Sequence, residues 1–315
     1  MSYESEMLQK LKMPVRKAVE KALLKSLFNH NGVIKEFGDG EEIVNEIAYQ
    51  FNLNSEQRSA NLETIYRKEN RVKKSNLWHR LLFRAADSLA KQKLVSRPTQ
   101  TILLTNKREW MLTEEGFSKT LNLLNIPKNQ KDDFSIKSYE VEKVVQKFRA
   151  KQKPKDYKPF YENREKKESL KLSSIRNRSF RQIVIETYEY KCSICGLKIY
   201  SPNLLLWEVE AAHIIPHSNN GRDDIWNGLS LCRFHHWAFD VGWFSLDDDH
   251  MVLSSEYINQ LPERMGKIWG FDTIRRLLSK NLKVQIPRDS KYWPDTLAIK
   301  WHRENIFGKN IKSHG

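Results

Sequence analysis

WEVEAAHIIPHSNNGRDDIWNGLSLCRFHHWAFDVG, residues 207–242, decides how the second half of this chain is read. An apolar stretch ends on His213, a polar loop leads to Asn227, and Cys232, His235, His236 and Asp240 follow at helical spacing. The expected local structure is a strand carrying His213, a loop carrying Asn227, and a helix carrying the two histidines and the aspartate. Fifteen residues upstream of Trp207 lies the pair Cys192-Ser-Ile-Cys195, and Cys232 is the third and last cysteine of the chain. An odd number of cysteines packed into so short a span does not suit a disulfide framework. It does suit zinc, with Cys192, Cys195, Cys232 and His235 as a closed Cys3His structural site. His236 faces the same way as His235 from Cys232 and is the alternative fourth ligand.

The order His213, Asn227, His236 resembles the HNH nuclease signature. The segments EAAHIIP, NGLSLC and HHWAFDVG are similar to an HNH subfamily found at the C-terminus of restriction endonucleases, and WPDTLAIKWHRENIFG (293–308) is similar to its closing stretch. The resemblance implies a two-strand, one-helix (ββα-metal) fold over 174–315 and hydrolysis of phosphodiester bonds. That chemistry needs a base to activate water and a cation to neutralise the phosphate. His213 is the expected base, titrating near cytosolic pH. Asn227 is expected to hold the catalytic loop or orient His213. His236 and Asp240, four apart on one helical face, are the expected ligands of Mg2+ or another divalent cation. The family commonly has an Asp or His immediately before the base. Here that position is Ala212, and Glu210, two residues back along a strand, is the expected substitute ligand.

The N-terminal third reads differently. Helical periodicity follows Pro14, residues 40–51, and residues 75–93 with Ser75 as N-cap, and the segments LVSR and EWMLT then bracket PTQTILLTNK as a hairpin tipped by Lys107 and Arg108. Three helices and a wing predict a winged helix-turn-helix. Residues 14–117, with Asn76-Leu77-Trp78 and the closing WMLTEEG, resemble the N-terminal domain of Mrr-type restriction proteins. Ten basic and two acidic groups fall within 67–97, as expected of a recognition helix gripping phosphates. Arg71, Lys73, Lys74, Trp78, Arg80, Arg84, Lys107 and Arg108 are the candidate DNA contacts.

The chain as a whole has 315 residues and a formal charge of +15, which suits a polyanionic partner. The excess is seven in residues 1–130, seven in 131–180 and one in 181–315. Residues 127–173 read as a charged linker between a recognition domain (1–126) and a nuclease domain (174–315), an α+β chain overall. No apolar run is long enough to span a membrane, and MSYESEMLQK has no signal-peptide stretch, so a prokaryotic cytoplasmic protein is expected. The combined reading is a restriction-type endonuclease acting on double-stranded DNA, with modified (methylated) bases read by the N-terminal domain and a homodimer for double-strand cuts. The competing readings are a conventional restriction enzyme for unmodified sites and a zinc-stabilised DNA-binding regulator with an inactive nuclease domain.

Overall fold

The computed structural model describes residues 3–38, 40–66, 71–162, 170–257 and 282–307. The chain divides into two compact units, Met1–Lys143 and Val144–Gly315.

In the first unit, α1 (Tyr3–Lys10) precedes α2 (Arg16–Asn29), which buries Val19, Ala22, Leu23, Leu27 and Phe28 at the expected spacing. Asn31 and Gly32 stop α2 with left-handed backbone, and a side chain on Gly32 would collide with the Lys137 carbonyl. There follow β1 (Val33–Lys35), α3 (Glu42–Gln50), α4 (Ser55–Ser59), β2 (Asn61–Tyr66), β3 (Arg71–Asn76), α5 (Leu77–Lys91), β4 (Val95–Ser96), α6 (Pro98–Thr105), β5 (Glu109–Leu112) and α7 (Glu114–Leu123). One antiparallel sheet runs β1-β5-β4, with Ile34 opposite Trp110 and Val95 opposite Leu112, while β2 and β3 form a separate hairpin.

The three expected helices and the two strands flanking residues 98–107 are present, but three expectations fail. The N-cap of α5 is Asn76, not Ser75: its side-chain oxygen accepts from the His79 N–H at 3.1 Å. PTQTILLTNK is not a hairpin tip, because Pro98 sits in the first helical turn and Gln100 caps the Arg97 N–H, so α6 forms there instead. Lys107 and Arg108 therefore lie in the turn after α6. Third, Trp78 does not face DNA. It is 1% exposed, and its indole N–H donates to the Val44 carbonyl at 3.0 Å. A hairpin does exist, but at 61–76, and it carries Arg71, Lys73 and Lys74 ahead of the third helix.

The segment 127–173 is not a free linker. Ile136 and Val141 are buried, and the Lys137 N–H donates to the Asn31 carbonyl in the first unit. Helix α8 (Tyr139–Ala150) follows, and residues 151–162 then lie along the second unit. There the Tyr161 N–H donates to Asn220, Tyr157 meets the Trp226 ring edge-on, and Lys151 and Lys153 pair with Asp224 and Asp295.

The second unit is built on α9 (Leu170–Thr187), β6 (Val209–His213), β7 (Gly228–Cys232), α10 (Arg233–Asp240), β8 (Phe244–Leu246), β9 (Val252–Ser254) and α11 (Thr296–His302). Strands β6 and β7 pair antiparallel from Val209–Cys232 to His213–Gly228, and α10 leaves directly from the end of β7. Gly228 lets β7 press against α9: a Cβ there would stand 2.5 Å from Val184. Asp247, in the acidic run 247–249, caps the β8–β9 turn by accepting from the N–H groups of Asp249 and Met251.

Replacing Trp78 by Phe removes a buried hydrogen bond and part of a packed indole, so urea unfolding is expected to show a loss of about 1–3 kcal/mol. An indole facing DNA would leave stability unchanged.

Candidate active site

The register of β6 on β7 and the direct start of α10 set the site's geometry. Cys232 ends β7, and His235 and His236 occupy successive positions of the first turn of α10, so their side chains leave the helix about 100° apart. His235 turns inward. Its Nδ1 lies 3.0 Å from Cys232 Sγ and 3.5 Å from Cys192 Sγ, and Cys195 Sγ lies 4.0 Å from Cys232 Sγ. All four ligand atoms fall within 4.8 Å of one another, and they form the one such group of three or more potential ligands among the described residues.

These spacings are those of a tetrahedral zinc shell, in which bonds of about 2.3 Å put ligands about 3.8 Å apart. Burial opposes the charged form of His235, yet the Cys192 and Cys195 sulfurs outweigh it and lift its pKa to about 9. Hydrogen bonds to Cys192 and Cys232 hold the Cys195 thiol far below its usual range. The pocket is electron-rich and buried, as a structural cation site should be.

His236 turns the other way. Its Nδ1 is 2.8 Å from Glu210 Oε2, and its Nε2 is 3.5 Å from Asp240 Oδ2. Burial pulls His236 toward neutrality, but Glu210 reverses this and raises its pKa, while the bond to His236 keeps Glu210 ionised. Glu210, expected as a direct substitute for the ligand lacking at Ala212, sits instead on the far nitrogen of His236. Ala212 itself is fully buried. His236 Nε2 and the Asp240 carboxylate thus face one another on the side of α10 away from the thiols, and burial raises the Asp240 pKa.

His213 closes the site from the end of β6. Its ring stacks on Phe180 of α9 at 3.9 Å, and its Nε2 lies 2.8 Å from Asp223 Oδ1. Asp223 is buried, and its other oxygen lies 2.6 Å from Nε of Arg176, also on α9. Burial works against its charge, but the contacts with His213 and Arg176 prevail and lower its pKa. A carboxylate on Nε2 fixes the proton there and leaves Nδ1 with the free lone pair. His213 and Asp240 are close enough to interact electrostatically, so the two lie in one locale.

Asn227 does not touch His213. It is fully buried, donates to the Ile215 and Arg222 carbonyls, and accepts from the Ile215 N–H at 2.9 Å. Of its two expected roles, it performs the first: it ties down the loop between β6 and β7. Asp223, Arg176 and Phe180 were not singled out from the sequence. The pair Asp223-Asp224 was visible, but nothing in it distinguishes the residue on His213 from the one on Lys151.

Residues 192–247 match the HNH endonuclease family. This segment, with both strands, α10 and all four clustered ligands, is an HNH endonuclease domain. Among solved structures, a modification-dependent TagI restriction endonuclease is similar at 21% identity and a TM-score of 0.29, over 40% of this chain and 37% of that one. The chain thus spans well under half the length of that structure. No curated protein matches the sequence. No helix among the described residues is long and apolar enough to cross a membrane.

The candidate DNA contacts in the first unit are scattered over several elements. Lys73 and Lys74 are exposed on β3, with Lys74 3.1 Å from Glu63. Arg71 begins β3; Arg80 and Arg84 on α5 both reach Glu4; Lys107 is exposed; Arg108 pairs with Glu36 at 2.9 Å.

The zinc assignment separates the adjacent histidines. Elemental analysis is expected to find one zinc per chain, retained in His236→Ala and lost in His235→Ala and Cys232→Ser. Equal retention in both histidine variants would show that the cluster is not the ligand set.

Proposed function

We propose that this chain is a restriction-type DNA endonuclease, in which His213 activates the water that attacks a backbone phosphate. The observation that carries the reading is the buried Asp223–His213 contact beside His236 and Asp240, within an HNH domain. His213 accepts the proton of water at Nδ1, since Asp223 occupies Nε2. Phe180 limits the tilt of the ring by stacking, and Arg176 keeps Asp223 ionised. Asn227 holds the loop that presents Asp223, and Glu210 turns His236 so that its Nε2 faces outward. A divalent cation held by His236 and Asp240 supplies charge neutralisation at the phosphate and leaving oxygen. Zinc bound by Cys192, Cys195, Cys232 and His235 keeps α10 fixed on β7.

In this reading the first unit serves as the DNA-recognition part, in the role of a winged helix-turn-helix domain. What supports it is the helix and strand order α2-β1-α3-α5-β4-β5, with α4 and the β2–β3 hairpin inserted before α5. The dependence on methylated bases rests on the resemblance of residues 14–117 to Mrr-type domains. Because one HNH site cuts one strand, double-strand cleavage requires two copies of the chain or two successive nicks.

Supercoiled plasmid incubated with the protein and Mg2+ or Mn2+ is expected to be nicked, and His213→Ala is expected to lose about 100- to 10,000-fold in rate. Full activity in His213→Ala would remove the proposed base. Plasmid prepared from a methylating host is expected to be cut in preference to the same plasmid from a non-methylating host. Cleavage of the unmethylated plasmid alone would favour the conventional restriction reading.

A further inference from the structure

The two arginines of α5 hold an anion already, and it is a side chain of the same unit. Arg80 and Arg84, four apart on one helical face, converge on Glu4 of α1, with their guanidinium nitrogens 2.7 and 2.6 Å from the same oxygen, Oε2. Glu4 is 6% exposed, and its second oxygen is buried without a partner. Arg80 Nε is also buried without a partner. The fit is incomplete on both sides: the clamp offers more donors than Glu4 accepts, and the carboxylate uses one oxygen where two are available. A guanidinium pair of this kind is matched by a phosphate, whose non-bridging oxygens accept from both forks at once.

The surroundings fit the same occupant. Arg80 and Arg84 line an open cleft of about 1010 Å3, together with Arg58, Lys74, His79 and the half-exposed ring of Phe83. Among the described residues lining it none is acidic; Glu4 and Glu63 engage its cations from the edges. The cleft lies where the β2–β3 hairpin meets α4 and the first half of α5.

We propose that this cleft is a docking surface for the phosphate backbone of duplex DNA, and that Glu4 stands in for a phosphate in the DNA-free protein. The proposal rests on DNA being the substrate, as in the preceding section. On binding, a backbone phosphate replaces the Glu4 carboxylate between Arg80 and Arg84, and α1 gives up its hold on α5. Glu4 thereby lowers affinity for duplex DNA of any sequence, because every encounter must first displace it.

The test is fluorescence anisotropy of a labelled 20-base-pair duplex with the full chain, over a salt series and without added divalent cation. Glu4→Gln is expected to tighten binding several-fold with the log–log salt dependence little changed, because both arginines end on phosphate in either protein. Glu4→Gln/Arg80→Gln/Arg84→Gln is expected to bind more weakly than Glu4→Gln and to flatten the salt dependence by about one to two units. Weaker or unchanged binding in a folded Glu4→Gln protein, judged by an unaltered thermal transition, would overturn the proposal. If Glu4→Gln fails to fold, Arg84→Gln alone, at a half-exposed position, decides: binding must weaken at low salt, and unchanged binding refutes the clamp. Plasmid nicking is scored separately. A protein that binds the duplex as described but never nicks would sink the endonuclease reading and leave the docking surface standing.

Discussion

Four ligand atoms from two distant stretches of chain must meet at one point for the second unit to hold its shape. Cys192 and Cys195 arrive from the turn after α9, and Cys232 and His235 from the junction of β7 with α10. Bringing them together allows no loop between strand and helix, so α10 leaves β7 at once. Because neighbouring helical residues diverge by about 100°, a His235 aimed at the thiols obliges His236 to point elsewhere. The zinc-type cluster thus sets the direction of the catalytic side, and Glu210 completes it by holding Nδ1 of His236.

The opposite wall is fixed by a different device. His213 is gripped by a flat aromatic ring and by a buried carboxylate whose countercharge comes from Arg176. Residues 181–315 carry a net charge of only one, and the acidic groups around the site are engaged internally. Asp223, Asp224 and Asp295 are all spent on internal partners, namely Arg176 and His213, Lys151 and Arg222, and Lys153. A second concentration of positive charge lies on β3 and α5 of the first unit, where even the arginines are met by a resident carboxylate.

Much of the second unit was legible because metal ligands have rigid spacing rules. Cys-x-x-Cys followed by Cys-x-x-His names its own partners, and helical geometry then separates His235 from His236. His302 shows the limit: its place in the closing stretch does not reveal whether it is exposed or packed. The structure buries it against Phe239 and Ser245, where burial holds its pKa down to about 4. In the first unit, the apolar spacing of α2 and α5 was legible, but local propensity misled elsewhere. Thr, Ile and Leu in 99–104 suggested strands, and the helix-starting Pro98 with its Gln100 cap prevailed. The 61–76 hairpin has little apolar alternation to reveal it. Charge hid the packing of 134–162, where a few residues, Ile136, Val141, Val145 and Tyr157, supply the burial. Asp223 was invisible because its role depends on a partner ten residues away and on an arginine from another helix.

The central claim is that Asp223 fixes the proton of His213 on Nε2 and so frees Nδ1 to act as base. Its most direct test is the single-turnover nicking rate of Asp223→Asn at saturating DNA and divalent cation, with duplex affinity and thermal unfolding measured on the same protein. Asparagine can present an N–H to Nε2 and favour the wrong tautomer. The rate is expected to fall by about 100- to 10,000-fold while affinity and folding are kept. A variant that folds, binds and nicks at the rate of the unaltered protein would contradict the claim.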